Sequence, residues 1–383
     1  MKKRFTNAVI PGTIDLTDPY FTTQLITYIG NKRSLLPFIN KGIEAVKAKL
    51  GKEKLVTFDG FSGSGSVSRL LKYHSSKLFV NDLELYCEVI NRSYLANKSE
   101  IDIDYINDRI EWLNARKLKS TSKDPGFIEV NYAPKNDNNI KPGERVFYTN
   151  RNARIIDNLK KLINTSIDSD KRHFFLAPLM VKASVHTNTS GVFKGFHKKG
   201  GIGWFGGQGE NALTRIKKEI ELEPPIFSEV ECGVEVFRRD INELVKSKDL
   251  PKEVDLAYFD PPYNQHPYGS NYFMLNIIAD GSRETEIQEG ISGIAQNWNR
   301  SSYNKAKQAE KALDDLIANT RAKYILLSYN DEGIIGLEDL KRIMKRHGKY
   351  DLLVQGYNTY RGSRNLKGRN IKVKEYLWIL EKK

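Results

Sequence analysis

Val254-Asp255-Leu256-Ala257-Tyr258-Phe259-Asp260-Pro261-Pro262-Tyr263 begins as an apolar run and stops abruptly at an acid, two prolines and an aromatic ring. Leu256 to Phe259 reads as a buried strand. The two prolines fix φ and remove two N–H donors, while their carbonyls stay free to accept. Ligands in α/β sheets bind beyond the carboxyl ends of strands, which is where Asp260 to Tyr263 fall. A turn that merely ends a strand is the alternative.

Similar apolar runs recur at Leu55 to Phe58, Leu78 to Val80, Val234 to Phe237, Tyr324 to Leu327, Leu352 to Val354 and Tyr376 to Leu380. Helical patterns separate most of them, among them Ser34 to Leu50, Ser66 to Tyr73, Glu84 to Asn97, Asn152 to Ile163 and Asn304 to Asn319. This alternation predicts an α/β fold built on a doubly wound sheet. No helix is evident between the last two runs, which read as a hairpin that brings one antiparallel strand into the sheet. The interval 101–230 breaks the alternation. Lys117 to Arg145 reads as a long polar loop, and Gly191 to Gly209 is rich in glycine, aromatics and lysine. Long loops inside compact chains are usually functional, so 101–230 is expected to be an inserted subdomain within a core made of 1–100 and 231–383.

Upstream, Leu55-Val56-Thr57-Phe58-Asp59-Gly60-Phe61-Ser62-Gly63-Ser64-Gly65-Ser66 is a strand, a tight turn and a helix start. Gly63 and Gly65 let the backbone pass close to a ligand, and the following helix offers free N–H groups. The pattern lacks the GK[ST] of a phosphate-binding P-loop. Asp82 ends the next strand, 17 residues after Gly65. An acid there can accept both hydroxyls of an adenosyl ribose, or it can cap the next helix.

The Asp-Pro-Pro-Tyr segment suits one particular chemistry. The exocyclic amine of adenine is a poor nucleophile, because its lone pair is delocalised into the ring. Two acceptors on its two hydrogens would make the nitrogen more tetrahedral and aim the lone pair outward. The Asp260 carboxylate and the Pro261 carbonyl can supply them, and Tyr263 can stack on a base flipped out of the duplex. A sulfonium methyl donor needs no metal, so orientation and electrostatics would supply most of the rate.

Charge supports a polyanionic partner. The 383 residues hold 61 Lys and Arg against 47 Asp and Glu, a net charge of +14, and each phosphate contact releases condensed counterions. No basic tail or low-complexity tract is present, so the excess belongs to a folded surface. There is no apolar stretch of membrane-spanning length and no signal peptide. Cys87 and Cys232 alone give no disulfide framework, which fits a reducing cytoplasm. The six scattered histidines lack ligand spacing, so no metal site is expected. No Pro-Cys pair occurs, which disfavours cytosine C5 chemistry with its thiolate nucleophile.

Taken in order, these segments resemble the Dam-like α group of DNA adenine-N6 methyltransferases, particularly the branch with FokI-type modification enzymes, over nearly the whole chain. Thr27-Tyr28-Ile29-Gly30-Asn31-Lys32-Arg33 resembles the N-terminal cofactor motif. The resemblance implies S-adenosylmethionine as cofactor, held by Tyr28, Gly30, Lys32, Asp59, Phe61, Gly63, Gly65, Asp82 and Asp240. It implies Asp260, Pro261, Pro262 and Tyr263 as the catalytic motif. The glycine motif departs mildly, with Ser62 and Ser64 in Phe61-Ser62-Gly63-Ser64-Gly65 where a bulky third residue is commoner.

The family also implies a target-recognition insert, where the irregular interval lies. Phe147 to Arg154 looks like the segment that precedes the insert's helices, and Thr187 to Lys198 resembles a DNA-facing hairpin. Asn188, Ser190, Lys194, His197 and Lys198 are therefore candidate contacts to double-stranded DNA. So are Arg361, Arg364, Lys367 and Arg369, in the loop between the last two strands. His266 to Tyr272, directly after the catalytic motif, could shape the pocket for the flipped base. The resemblance further implies a monomer and the modification half of a restriction–modification system, with a companion endonuclease. Cytosine-N4 methylation, an RNA or protein-amide substrate, and a DNA binder without activity stay open at this level.

Overall fold

The apolar runs form strands of one sheet. Helix α1 (Leu36–Leu50) leads into β1 (Leu55–Asp59), α2 (Ser66–His74) joins it to β2 (Ser75–Asp82), and α3 (Leu85–Tyr94) follows. Helices α4 (Ile103–Arg116), α5 (Phe127–Tyr132), α6 (Asn150–Ser166) and α7 (His173–Val185) come next. The sheet resumes with β3 (Gly233–Arg238) and β4 (Val254–Phe259), then α8 (Phe273–Ala279), α9 (Ala306–Asn319) and β5 (Ala322–Asn330). Helix α10 (Leu337–His347), β6 (Gly348–Asn358) and β7 (Lys372–Lys382) complete the chain. The computed structural model describes residues 14–119, 125–280, 286–358 and 372–383. Arg361, Arg364, Lys367 and Arg369 lie outside the described residues.

The seven strands run in the order β3-β2-β1-β4-β5-β7-β6. All neighbours pair in parallel except those of β7, which is antiparallel to both β5 and β6. This is the doubly wound α/β sheet with a terminal antiparallel hairpin expected from the sequence. Strand order reverses between β1 and β4, where crossovers leave in opposite directions and open a crevice. Alternation along β4 sends Leu256 and Tyr258 into one apolar core, and Ala257 and Phe259 into the other. Helices α1 and α2 cover the first face, and α9 and α10 the second. Burial on both faces explains why the inner strands β1, β4 and β5 read as continuous apolar runs.

A third core lies among helices α3 to α8, with Ile90, Ile110, Leu159, Leu179 and Phe273 in it and no residue of the seven strands. Among the described residues, the interval 101–230 supplies α4 to α7 and no strand to the seven-stranded sheet. Thr149 caps α6 by accepting the Asn152 N–H (3.1 Å), and Asp102 caps α4 by accepting that of Tyr105 (2.9 Å).

Part of the stretch expected as loop between Lys117 and Arg145 is instead helix α5. Its first turn is capped from a distance, because Asp157 on α6 accepts the N–H groups of Ile128 (3.1 Å) and Glu129 (2.8 Å). Ile128 and Tyr132, one turn apart, are buried beneath it. Helix α10, absent from the helical patterns cited above, packs Leu340, Ile343 and Met344 on the sheet. Among the described residues, no helix is long and apolar enough to cross a membrane.

Candidate active site

A pocket opens where the carboxyl ends of β1, β2 and β4 converge, and the turn after β1 forms one wall. The Gly60 N–H donates to the Tyr258 carbonyl (3.0 Å), which ties this turn to β4. Gly63 and Gly65 have φ of 50° and 77°, the left-handed region that disfavours a side chain. A Cβ on Gly63 would also stand 2.9 Å from the Tyr28 ring. Glycine thus lets the backbone itself face the pocket. Phe61 stands edge-on to Phe259 and Tyr303 and lines the same wall.

Asp82 braces the glycine turn and caps the start of α3. One oxygen accepts the Gly63 N–H (2.8 Å) and the other the Glu84 N–H at the start of α3 (3.0 Å). It also lines the pocket. Burial raises its carboxyl pKa, and these N–H groups oppose that rise. Asp240 likewise caps the short helix Ile241–Leu244, accepting from Asn242 (2.9 Å) and Glu243 (3.3 Å), while lining the pocket. Tyr28 stacks against both Tyr268 and Tyr272, with ring centroids 4.9 and 4.8 Å away, and those two rings stand 6.0 Å from each other. Those two tyrosines also grip the Ile29 backbone, Tyr268 donating to its carbonyl and Tyr272 accepting its N–H. The motif that carries Tyr28, Gly30 and Lys32 is thereby held against the pocket.

Asp59 and Gly65 are not in the lining. Asp59 is fully buried, accepts the Ser68 hydroxyl (2.6 Å) from α2, and has its second oxygen unpartnered. Burial pushes its carboxyl pKa up to about 7. The expectation that Asp59 touches the cofactor is corrected here, since its side chain supports the turn from beneath. Glu84, which the sequence reading passed over, does line the pocket. Asn276 (2.6 Å) and Asn299 (3.2 Å) donate to its carboxylate, and burial pushes its pKa up to about 7. Its signal was a second acid two residues after Asp82.

The proline pair turns the chain at the end of β4 and leaves Asp260 at the pocket, 17% exposed. Lys32, almost completely buried, places its ammonium 2.9 Å from Asp260 Oδ1 and 4.7 Å from the Tyr263 ring centroid. The Tyr263 hydroxyl donates to the same Oδ1. Oδ2 has no hydrogen-bond partner among the described residues. Burial pushes the Asp260 pKa up to about 6, with Lys32 opposing it. For Lys32, burial disfavours the charge, but Asp260 and Glu375 outweigh it and the pKa is raised. Pro262 lines the pocket while Pro261 and Tyr263 do not, the Tyr263 ring standing edge-on to Tyr329 at 4.9 Å.

Of the candidate DNA contacts, Ser190, Lys194 and Lys198 are exposed and His197 is half-buried. Asn188 is corrected. It is fully buried, and its amide donates to the carbonyls of Val146 (2.9 Å) and Trp204 (3.0 Å). Both amide hydrogens are used inside the protein, so Asn188 holds the segment rather than touching DNA. A two-residue hairpin, Lys198–Lys199 with Ile202–Gly203, begins where the expected one ends. Beside it Trp204 is 42% exposed, with Lys199 over its ring.

A parallel sheet with a glycine turn, strand-end acids and a pocket at its switch point is the arrangement in which doubly wound α/β proteins bind their ligands. The sequence also matches the D12 class of N6 adenine-specific DNA methyltransferases over residues 28–343. The chain belongs to that family, and is therefore an adenine-specific DNA methyltransferase that acts on N6. It is similar to the type II methyltransferase M.NlaIII of Neisseria lactamica, 31% identical over 93% of this chain and 99% of the relative. It also resembles the modification methylase StsI of Streptococcus sanguinis, 28% identical over 93% of this chain and 52% of that protein. The type II methyltransferase M.FokI of Planomicrobium okeanokoites is 25% identical over 93% of this chain and 52% of its own length.

Proposed function

We propose that the pocket binds S-adenosylmethionine and that Asp260 and the Pro261 carbonyl accept the two amino hydrogens of a flipped adenine. The observation that carries this is the state of Asp260: Oδ1 is taken by Lys32 and Tyr263, no hydrogen bond to Oδ2 is made among the described residues, and Asp260 lines the pocket. The pocket suits such a cofactor. Asp82 fits the ribose hydroxyls, Asp240 the adenine amine and the Gly63 turn the close approach, with Tyr28, Gly30 and Phe61 on the walls. When bound, S-adenosylmethionine supplies an electrophilic sulfonium methyl group, which needs no metal. Lys32 keeps Asp260 ionised, so that it can accept. Tyr263 offers its ring to the flipped base, and Pro262 closes the pocket beside it. Fixed acceptors of this kind aim the nitrogen lone pair at the methyl group.

Residues 1–100 and 231–383 form the catalytic domain in this reading, and 101–230 recognise the target. Ser190, Lys194, His197 and Lys198 meet the duplex, together with Arg361, Arg364, Lys367 and Arg369 outside the described residues. The names of relatives, a type II methyltransferase and a modification methylase, support a role as a modification enzyme; a monomer working beside a restriction endonuclease is part of the same proposal. Single-molecule sequencing of DNA from a methylation-free host that expresses the chain tests the function. One adenine-modified sequence motif is expected. Unmodified adenine in the presence of soluble protein would overturn the reading.

A further inference from the structure

We infer that Glu375 is a positioning residue of the methyl-transfer site, acting on Asp260 through Lys32 and Tyr263. The inference rests on the role given to Asp260 above. Glu375 sits on β7, opposite Asn330 of β5, and is fully buried. It does not line the pocket, so it acts on substrate only through other groups.

Three donors converge on one of its oxygens. The Ser328 hydroxyl is 2.5 Å from Oε1, the Tyr263 hydroxyl 3.2 Å and the Lys32 ammonium 3.6 Å. Oε2 is buried with no partner. Two of the three donors, Lys32 and Tyr263, are also the two groups on Asp260 Oδ1. The two acids therefore share a cation and a hydroxyl whose single proton goes to one of them at a time. Asp260 meets them from the pocket side, and Glu375 meets them from within the sheet.

A buried carboxylate with half its acceptor capacity unused is a poor stabiliser, since an apolar residue of similar volume would serve the sheet at least as well. It suits a group that fixes its neighbours. Glu375 anchors Lys32 and Tyr263, and these hold Oδ1 so that Oδ2 stays available to the amine. The same oxygen also gives the Tyr263 hydroxyl a second acceptor when the amino hydrogens compete for Asp260.

Steady-state methyl transfer by the full chain tests this in wild type, Glu375→Gln, Tyr263→Phe and the double variant. Glu375→Gln keeps the shape and loses the charge. It is expected to lower kcat by about ten- to a hundredfold, because displacing reacting groups by ~1 Å costs about a hundredfold. The KM for S-adenosylmethionine and for DNA should stay within about threefold. Because both residues act on one oxygen, the losses in the double variant should fall well short of additive. Unchanged kcat, a loss confined to KM, or additive losses would overturn the role. If Glu375→Gln does not fold, Ser328→Ala removes the shortest bond to Oε1 and should show the same kcat-selective loss; unchanged kcat there also overturns the role. Wild-type protein inactive on adenine would overturn the functional reading itself, whereas active wild type with an indifferent Glu375→Gln would overturn only the role of Glu375.

Discussion

The Lys32 ammonium lies 2.9 Å from Asp260 Oδ1 and 3.6 Å from Glu375 Oε1, so one buried cation joins the N-terminal motif to the ends of β4 and β7. The sequence reading placed Lys32 with the cofactor residues. The geometry also makes it the counter-charge of the acid proposed to carry the chemistry.

A pH dependence follows. Burial pushes the Asp260 pKa up to about 6 against the pull of Lys32, and a proton on Oδ2 would turn the proposed acceptor into a donor. The single-turnover rate should therefore fall as pH drops through about 6. Lys32→Met removes the opposing charge and leaves the carboxylate buried alone, which raises its pKa further. The acid limb of the pH–rate profile should move to higher pH, and an unmoved limb would contradict the pairing.

Gly63 makes a second test. At φ 50° a side chain is disfavoured, and its Cβ would press on the Tyr28 ring. Gly63→Ala should cost about 1–2 kcal/mol of stability and weaken cofactor binding, as read by urea denaturation and calorimetric titration. Affinity and stability both equal to wild type would show that the turn does not need glycine there.

Asp59 links stability to pH. Its pKa is about 7 in the folded chain against an ordinary 3.8, with burial as the leading cause. Between these values the folded state holds a proton that the unfolded state releases, so this group's contribution is present at low pH and is lost as pH rises through about 7. Asp59→Asn, which keeps the Ser68 contact without the charge, should raise the urea midpoint above pH 7 and have little effect near pH 4. Glu84 and Asp260 shift in the same direction, so a reduced slope should remain. An Asn variant less stable than wild type at high pH would argue against a buried charge at this position.

The strands were legible because a parallel sheet covered on both faces writes itself as apolar runs. The glycine turn and the Asp-Pro-Pro-Tyr segment were legible because positive φ and a blocked backbone restrict which residues can stand there. Helix α5 was not, since its cap is Asp157, some thirty residues away on another helix. Asn188 looked like a polar tip in a glycine-rich segment, and only three-dimensional packing shows its amide bound to Val146 and Trp204. Glu375 stands just before the apolar run Tyr376 to Leu380 and carried no signal of its own. Its meaning lies in Lys32 and Tyr263, which approach from distant parts of the chain.

The most direct test of the central claim compares wild type with Asp260→Ala, using labelled S-adenosylmethionine on duplex DNA followed by nucleoside digestion and mass spectrometry. Wild type should yield N6-methyladenine. The variant should yield none while still binding S-adenosylmethionine with near wild-type affinity. Methylated adenine from the variant, or loss of its cofactor binding, would contradict the catalytic role assigned to Asp260.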